Sequence, residues 1–149
     1  MKKTEITISI LAIVAFVLDL MSVYGGPMFI ALTLAILSLL YFFFGFALLN
    51  KIRFRKLFKK EAYKGISLIS IIFAFLIGNL LSTAVLGTLF GLLSWEGATP
   101  MLCAAIACMA TAALLVLIEY LVTRSDLYKS ALPRILIWGG LTLFLFLLY

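Results

Sequence analysis

Long apolar runs alternate along the chain with short polar segments. A helix that crosses a bilayer needs about 20 mainly apolar residues. The pattern predicts such helices at Ile6 to Tyr24, Met28 to Leu49, Ile66 to Leu93, Thr99 to Val122 and Ile135 to Tyr149. Gly25-Gly26-Pro27 predicts a tight turn between the first two, and Ser94 to Ala98 another between the third and fourth. Asn50 to Gly65 and Thr123 to Arg134 are the polar loops. The third run is long enough to tilt. The last is short: it spans with Arg134 snorkelling at its base, or else forms a re-entrant or interfacial segment. The expected fold is an all-α integral membrane protein in one membrane domain, residues 1–149, with a bundle of five transmembrane helices, or four if the last falls short.

The punctuation repeats. Leu20-Met21-Ser22-Val23-Tyr24-Gly25-Gly26-Pro27-Met28-Phe29 resembles Leu92-Leu93-Ser94-Trp95-Glu96-Gly97-Ala98-Thr99-Pro100-Met101-Leu102 with one gap. Farther on, Leu57-Phe58-Lys59 matches Leu127-Tyr128-Lys129, and Lys64 matches Arg134. This predicts two tandem helical hairpins, 6–65 and 66–134, each closed by a basic loop, with a fifth helix at 135–149. Two spans per unit leave both copies in the same orientation, the parallel repeat from which some transporters are built.

Composition explains where the hydrophobic surface goes. The 149 residues are 66% hydrophobic, with a mean hydropathy of +1.27. A water-soluble core in so short a chain cannot bury that much apolar surface. All twelve Lys and Arg fall in three clusters: Lys2 and Lys3; the seven from Lys51 to Lys64; and Arg124, Lys129 and Arg134. The positive-inside rule then places the N-terminus in the cytoplasm and the C-terminus outside, in a bacterial inner membrane. The turns at Gly25-Gly26-Pro27 and Trp95-Glu96-Gly97 face outward. A cleaved signal peptide is disfavoured by the length of the first run, by Asp19, and by poor cleavage residues near Gly25.

The chain has no histidine, which removes the usual acid/base group at neutral pH and the commonest metal ligand. No catalytic residue, metal or cofactor is expected. Cys103 and Cys108 point about 140° apart on a helix, too divergent for a disulfide, and read as small packing residues.

Polar groups in lipid are costly unless paired. Asp19, late in the first helix, could take a proton or cation, or reach the outer headgroups. Glu119 is expected at the inner interface beside Arg124 and the basic loops. Ser38, Asn79 and Thr111 share a depth near the middle of their spans, as interhelical hydrogen-bond formers or the lining of a midplane site. Gly78, Ser82, Thr83, Gly87 and Gly91 on the third helix, with Ala104, Cys108 and Ala112 on the fourth, follow small-xxx-small spacing and predict close packing of this hairpin or a dimer interface. Tyr41-Phe42-Phe43-Phe44-Gly45-Phe46 presents aromatics to lipid and the inner interface. Lys51, Arg53, Arg55, Lys56, Lys59, Lys60 and Lys64 surround an amphipathic spacing of Phe54, Leu57, Phe58 and Ala62. That loop is expected to lie on the bilayer with its cations on anionic headgroups; docking an acidic partner is the alternative, and nucleic acid is not expected as a partner.

The second turn carries a family resemblance. Leu89, Phe90, Trp95, Gly97, Ala98, Met101 and Leu102 match the membrane hairpin of the gliding-motility and type IX secretion motor subunit. The family's lysine position is Gly91 here, and its membrane glutamate falls near Met109. The resemblance implies a shared hairpin design and an assembly role, without motor activity.

These features lead to two expectations. The first is a non-enzymatic subunit or assembly factor of a membrane complex, with a membrane-protein partner or self-association. The alternative is a small oligomeric transporter or channel with Asp19 and Asn79 in its path.

Overall fold

Inside a bilayer every backbone N–H and C=O must be satisfied within the segment, so an apolar run of this length folds as a helix. The computed structural model, which describes residues 2–52, 65–124 and 126–149, contains α1 (Lys2–Leu20), α2 (Gly26–Leu49), α3 (Leu68–Leu92), α4 (Ala98–Thr123) and α5 (Leu127–Leu148). Among the described residues there is no strand. Helices α2, α3, α4 and α5 are each long and apolar enough to cross a membrane. Helix α1 carries Lys2, Lys3, Glu5 and Asp19 and falls outside that set.

Helix α5 begins eight residues before the expected Ile135, so most of the predicted Thr123 to Arg134 loop is helical and the last span is not short. Its polar residues and Pro133 read as a boundary in sequence. Pro133 lies in the second turn of α5, where its missing N–H leaves a carbonyl of the first turn without its helical donor. The Arg134 guanidinium donates to the neighbouring Ser130 carbonyl.

Helix α3 is the centre of the bundle. It packs against α2, α4 and α5, and α1 lies on α2. The core joins Leu34, Leu37 and Tyr41 of α2 to Ile77, Leu81 and Val85 of α3, and to Ala105, Met109 and Ala112 of α4.

The small residues of α3 permit these contacts, but they divide between neighbours instead of serving one hairpin. A Cβ on Gly78 would sit 2.8 Å from the Gly45 Cα and 2.9 Å from the Tyr41 carbonyl oxygen, so Gly78 packs on α2. Ser82 also faces α2, through Ser38. Gly87 faces α4, where a Cβ would lie 2.5 Å from that of Ala105. Gly91 meets Leu102 of α4 and Leu145 of α5. On α4 the packing stripe is Leu102, Ala105, Met109, Ala112 and Val116. Of the expected stripe, Ala112 is buried, Cys108 is half-buried and Ala104 is exposed. The three-four alternation of a helix–helix seam, rather than strict four-residue spacing, selects Ala105.

The two hairpin turns are built alike. Ser22, Val23, Gly26 and Phe29 donate backbone N–H groups to Asp19, Leu18, Val23 and Gly25. Ser94, Trp95, Ala98 and Met101 donate in the same register to Gly91, Phe90, Trp95 and Gly97. In both turns the serine and a glycine have positive φ: Ser22 (58°) with Gly25 (92°), and Ser94 (49°) with Gly97 (86°). Only glycine adopts that region without strain from a Cβ.

Candidate functional site: a groove between α1 and α5

Helices α1 and α5 stand apart along most of their length. Between them runs a groove of about 1730 Å³, floored by residues of α2 and α3. Ile6, Ile10, Ile13 and Phe16 of α1 face it from one side, and Ile137, Leu141 and Phe144 of α5 from the other. Lys2, Lys3, Lys51, Lys129 and Arg134 line one end, while Ser94 and Tyr149 lie at the other. The Tyr149 hydroxyl donates to the Gly91 carbonyl at 2.9 Å and pins the end of α5 to α3.

One polar cluster ties the walls together near the basic end. The Arg134 guanidinium donates to both carboxylate oxygens of Glu5, from Nε at 2.6 Å and from an Nη at 2.5 Å. The Tyr41 hydroxyl donates to the same Glu5 carboxylate at 2.6 Å. Trp138 Nε1 approaches the Tyr41 oxygen at 3.4 Å. Both ends of the ion pair are largely buried, the Arg134 side chain 15% exposed and that of Glu5 10%. At 1.5 Å per residue Arg134 lies roughly 10 Å along α5 from its start. A charge at that depth is tolerated where it meets a matched partner and its remaining hydrogen-bonding atoms are used. A guanidinium–carboxylate fork has that geometry.

The sequence reading missed this cluster. Glu5 precedes the expected first span, Arg134 falls at the end of the expected polar loop, and Tyr41 stands in the run of aromatics expected to face lipid and the inner interface. Tyr41 is in fact buried, while Phe42 and Phe43 are exposed. The available signal was charge sign: a lone acid at the edge of one apolar helix and a lone arginine within another call for each other.

The residues singled out in sequence are placed elsewhere. Asp19 lies at the α1–α2 turn, so close to α2 that a Cβ on Gly26 would meet its Cα at 2.7 Å. The Ser38 and Ser82 hydroxyls share a hydrogen bond of 2.7 Å that links α2 to α3. Asn79 donates its amide to the Phe75 carbonyl of its own helix at 2.9 Å. Thr111 is exposed and bonds back to Ala107 at 2.9 Å. Ser38, Asn79 and Thr111 therefore do not converge, and neither Asp19 nor Asn79 lines the groove. Glu119 is fully buried, and its Oε1 accepts from Ser70 and Thr123, each at 2.7 Å. It binds α3 to α4. Cys103 and Cys108 are free thiols. Arg53, Arg55, Lys56, Lys59, Lys60 and Lys64 of the basic loop lie outside the described residues, and Lys51 is exposed at the loop's start.

At the same end, Lys129 and Asp126 form an exposed ion pair of 2.7 Å. The lysine's hydrogen bond and charge hold the Asp126 carboxyl below its ordinary value. Among the described residues no three His, Cys, Asp or Glu gather into a metal-binding group.

Fold and site together define an all-α, multi-pass membrane protein with a long apolar groove, one end of which is basic and braced by a buried ion pair. No family model, curated protein or solved structure matches the chain.

Proposed function

We propose that this chain is a non-enzymatic membrane subunit or assembly factor that acts by binding a hydrophobic partner from within the bilayer, in the groove between α1 and α5. The groove itself carries the reading: an apolar channel along α1 and α5, walled by side chains that the other described residues leave uncovered. The isoleucine, leucine and phenylalanine of its walls offer adhesion and shape, and its charged residues gather at one end, with Glu5 and Arg134 engaged with each other.

In this reading α1 is a fifth span. Its 19 residues reach about 28 Å at 1.5 Å per residue, close to the thickness of a bilayer core. The N-terminus lies in the cytoplasm and the basic end of the groove faces inward, following the sidedness of Lys2, Lys3, Lys51, Lys129 and Arg134. We read the matching hydrogen-bond registers of the two turns as the trace of a duplicated hairpin, with α5 opening a third unit.

The likeness to the motor-subunit hairpin supports assembly and not force generation. A Cβ on Gly91 would already stand 3.2 Å from a Leu145 methyl and 3.3 Å from Leu102, so the family's lysine would have to push those side chains aside. Met109, near the glutamate position, is buried in the core.

The test is purification of the tagged protein from native membranes in mild detergent, with its co-purifying molecules identified. Ile137→Trp and Leu141→Trp, which fill the groove from α5, should strip away a molecule retained by the wild type. Unchanged retention in both variants would sink the reading.

A further inference from the structure

We propose that the groove holds an anionic phospholipid, with its phosphate among the lysines at the basic end and its acyl chains along the walls of α1 and α5. This rests on the reading of the groove as the binding surface and names its occupant.

Three observations select a lipid. The first is charge. Lys2, Lys3, Lys51, Lys129 and Arg134 converge on one end of the groove, where Glu5, the one acid among the described lining residues, is already engaged by Arg134. Asp126 offsets Lys129 from outside the lining. The remaining lysines leave that end electropositive, and among the described lining residues the far end, with Ser94 and Tyr149, has no charged side chain. An amphiphile with one anionic end matches this polarity.

The second observation is the texture of the walls. Where helices meet in this protein, small residues let backbones approach, as at Gly45 with Gly78 and at Gly87 with Ala105. The groove walls instead present Ile10, Ile13, Phe16, Ile137 and Phe144. Bulky branched and aromatic side chains hold a helix backbone away, but they suit flexible chains that fill irregular space. The third is size. About 1730 Å³ exceeds the roughly 300–1,000 Å³ usual for metabolite pockets.

Trp138 supplies the probe. It lines the groove, and the chain has only two tryptophans; the other, Trp95, lies in the α3–α4 turn against Phe90. In a Trp95→Phe background, fluorescence would be recorded in vesicles of phosphatidylcholine containing a small fraction of either brominated phosphatidylglycerol or brominated phosphatidylcholine. Bromine on the acyl chain quenches only a tryptophan that it touches. The anionic lipid should reach Trp138 with about fivefold higher relative affinity or more, the factor expected from one lysine at a membrane surface. Lys2→Gln, Lys3→Gln and Lys51→Gln together, which leave the Lys129–Asp126 pair intact, should bring the two lipids near equality. Arg124→Gln, an exposed basic residue outside the lining, should keep the preference.

Equal quenching by both lipids in the wild type overturns the proposal, as does the same loss of preference in Arg124→Gln. If no brominated lipid reaches Trp138, yet a membrane protein co-purifies and is lost on filling the groove, the occupant is a protein. The lipid proposal then fails and the groove reading stands. If neither molecule is found, both fail.

Discussion

Glu5 and Arg134 lie 129 residues apart in sequence and meet in a two-pronged ion pair that braces the first helix against the last. The Tyr41 hydroxyl completes the Glu5 carboxylate from α2. The pair ties the walls of the groove together near its basic end, while α1 and α5 stand apart along most of their length.

A buried ion pair contributes little relative to a well-packed apolar pair, but losing one partner strands the other charge. Glu5→Gln should therefore destabilise the protein by about 3–5 kcal/mol. Glu5→Leu combined with Arg134→Met should cost less than Glu5→Gln alone. Thermal unfolding in detergent, followed by helical circular dichroism, gives both values. A double variant as damaged as the sum of its single changes would show that the two side chains act separately.

The backbones of α2 and α3 approach closely at Gly45 and Gly78, where either added methyl would meet the opposite backbone at 2.6–2.8 Å. Backbone cannot swing aside as a side chain can. Gly78→Ala should cost about 1–3 kcal/mol, the range for overpacking a tight interface. Gly140→Ala is the control, because nothing lies within 4 Å of its added carbon. A Gly78→Ala midpoint equal to that of Gly140→Ala would refute the close contact.

The Ser38 hydroxyl links α2 to α3 twice, through a hydrogen bond with the Ser82 hydroxyl at 2.7 Å and one to the Ser82 carbonyl at 3.3 Å. Ser38→Ala should lose about 0.6–2 kcal/mol, Ser82→Ala less because the Ser38 hydroxyl keeps the Ser82 carbonyl, and the pair no more than Ser38→Ala alone. Asn79→Leu and Thr111→Val should be nearly neutral, because both side chains bond within their own helices. Equilibrium unfolding of the four variants and the double decides the matter; a large loss in Thr111→Val would contradict its outward placement.

Gly25 and Gly97 occupy matching places in the two hairpin turns, with φ of 92° and 86°. Neither has a neighbour within 4 Å of an added Cβ, so the cost of alanine is conformational. Gly25→Ala and Gly97→Ala should each destabilise by about 1–2 kcal/mol. Stability measurements that gave a large loss at one turn and none at the other would break their equivalence.

The hydrophobic pattern by itself determined the all-α character, the places of α2, α3 and α4 to within a few residues, and both hairpin turns. These follow from local physics: an apolar run of spanning length must satisfy its own backbone, and Gly-rich breaks supply positive φ. The start of α5 was less legible, because Pro133 and the polar residues around it imitate a boundary that a helix tolerates near its beginning. Which partner each small residue serves could not be read from spacing. Gly78 and Gly87 lie nine positions apart on one helix and face different neighbours, and the choice of Ala105 over Ala104 depends on how α4 is rotated about its axis. The groove and its Glu5–Arg134 brace were decided only by tertiary structure. Sequence shows which residues are charged or apolar, but whether two distant helices close on each other, or stand apart and leave a channel, depends on how α2, α4 and α5 pack around α3 and where α1 lies on α2.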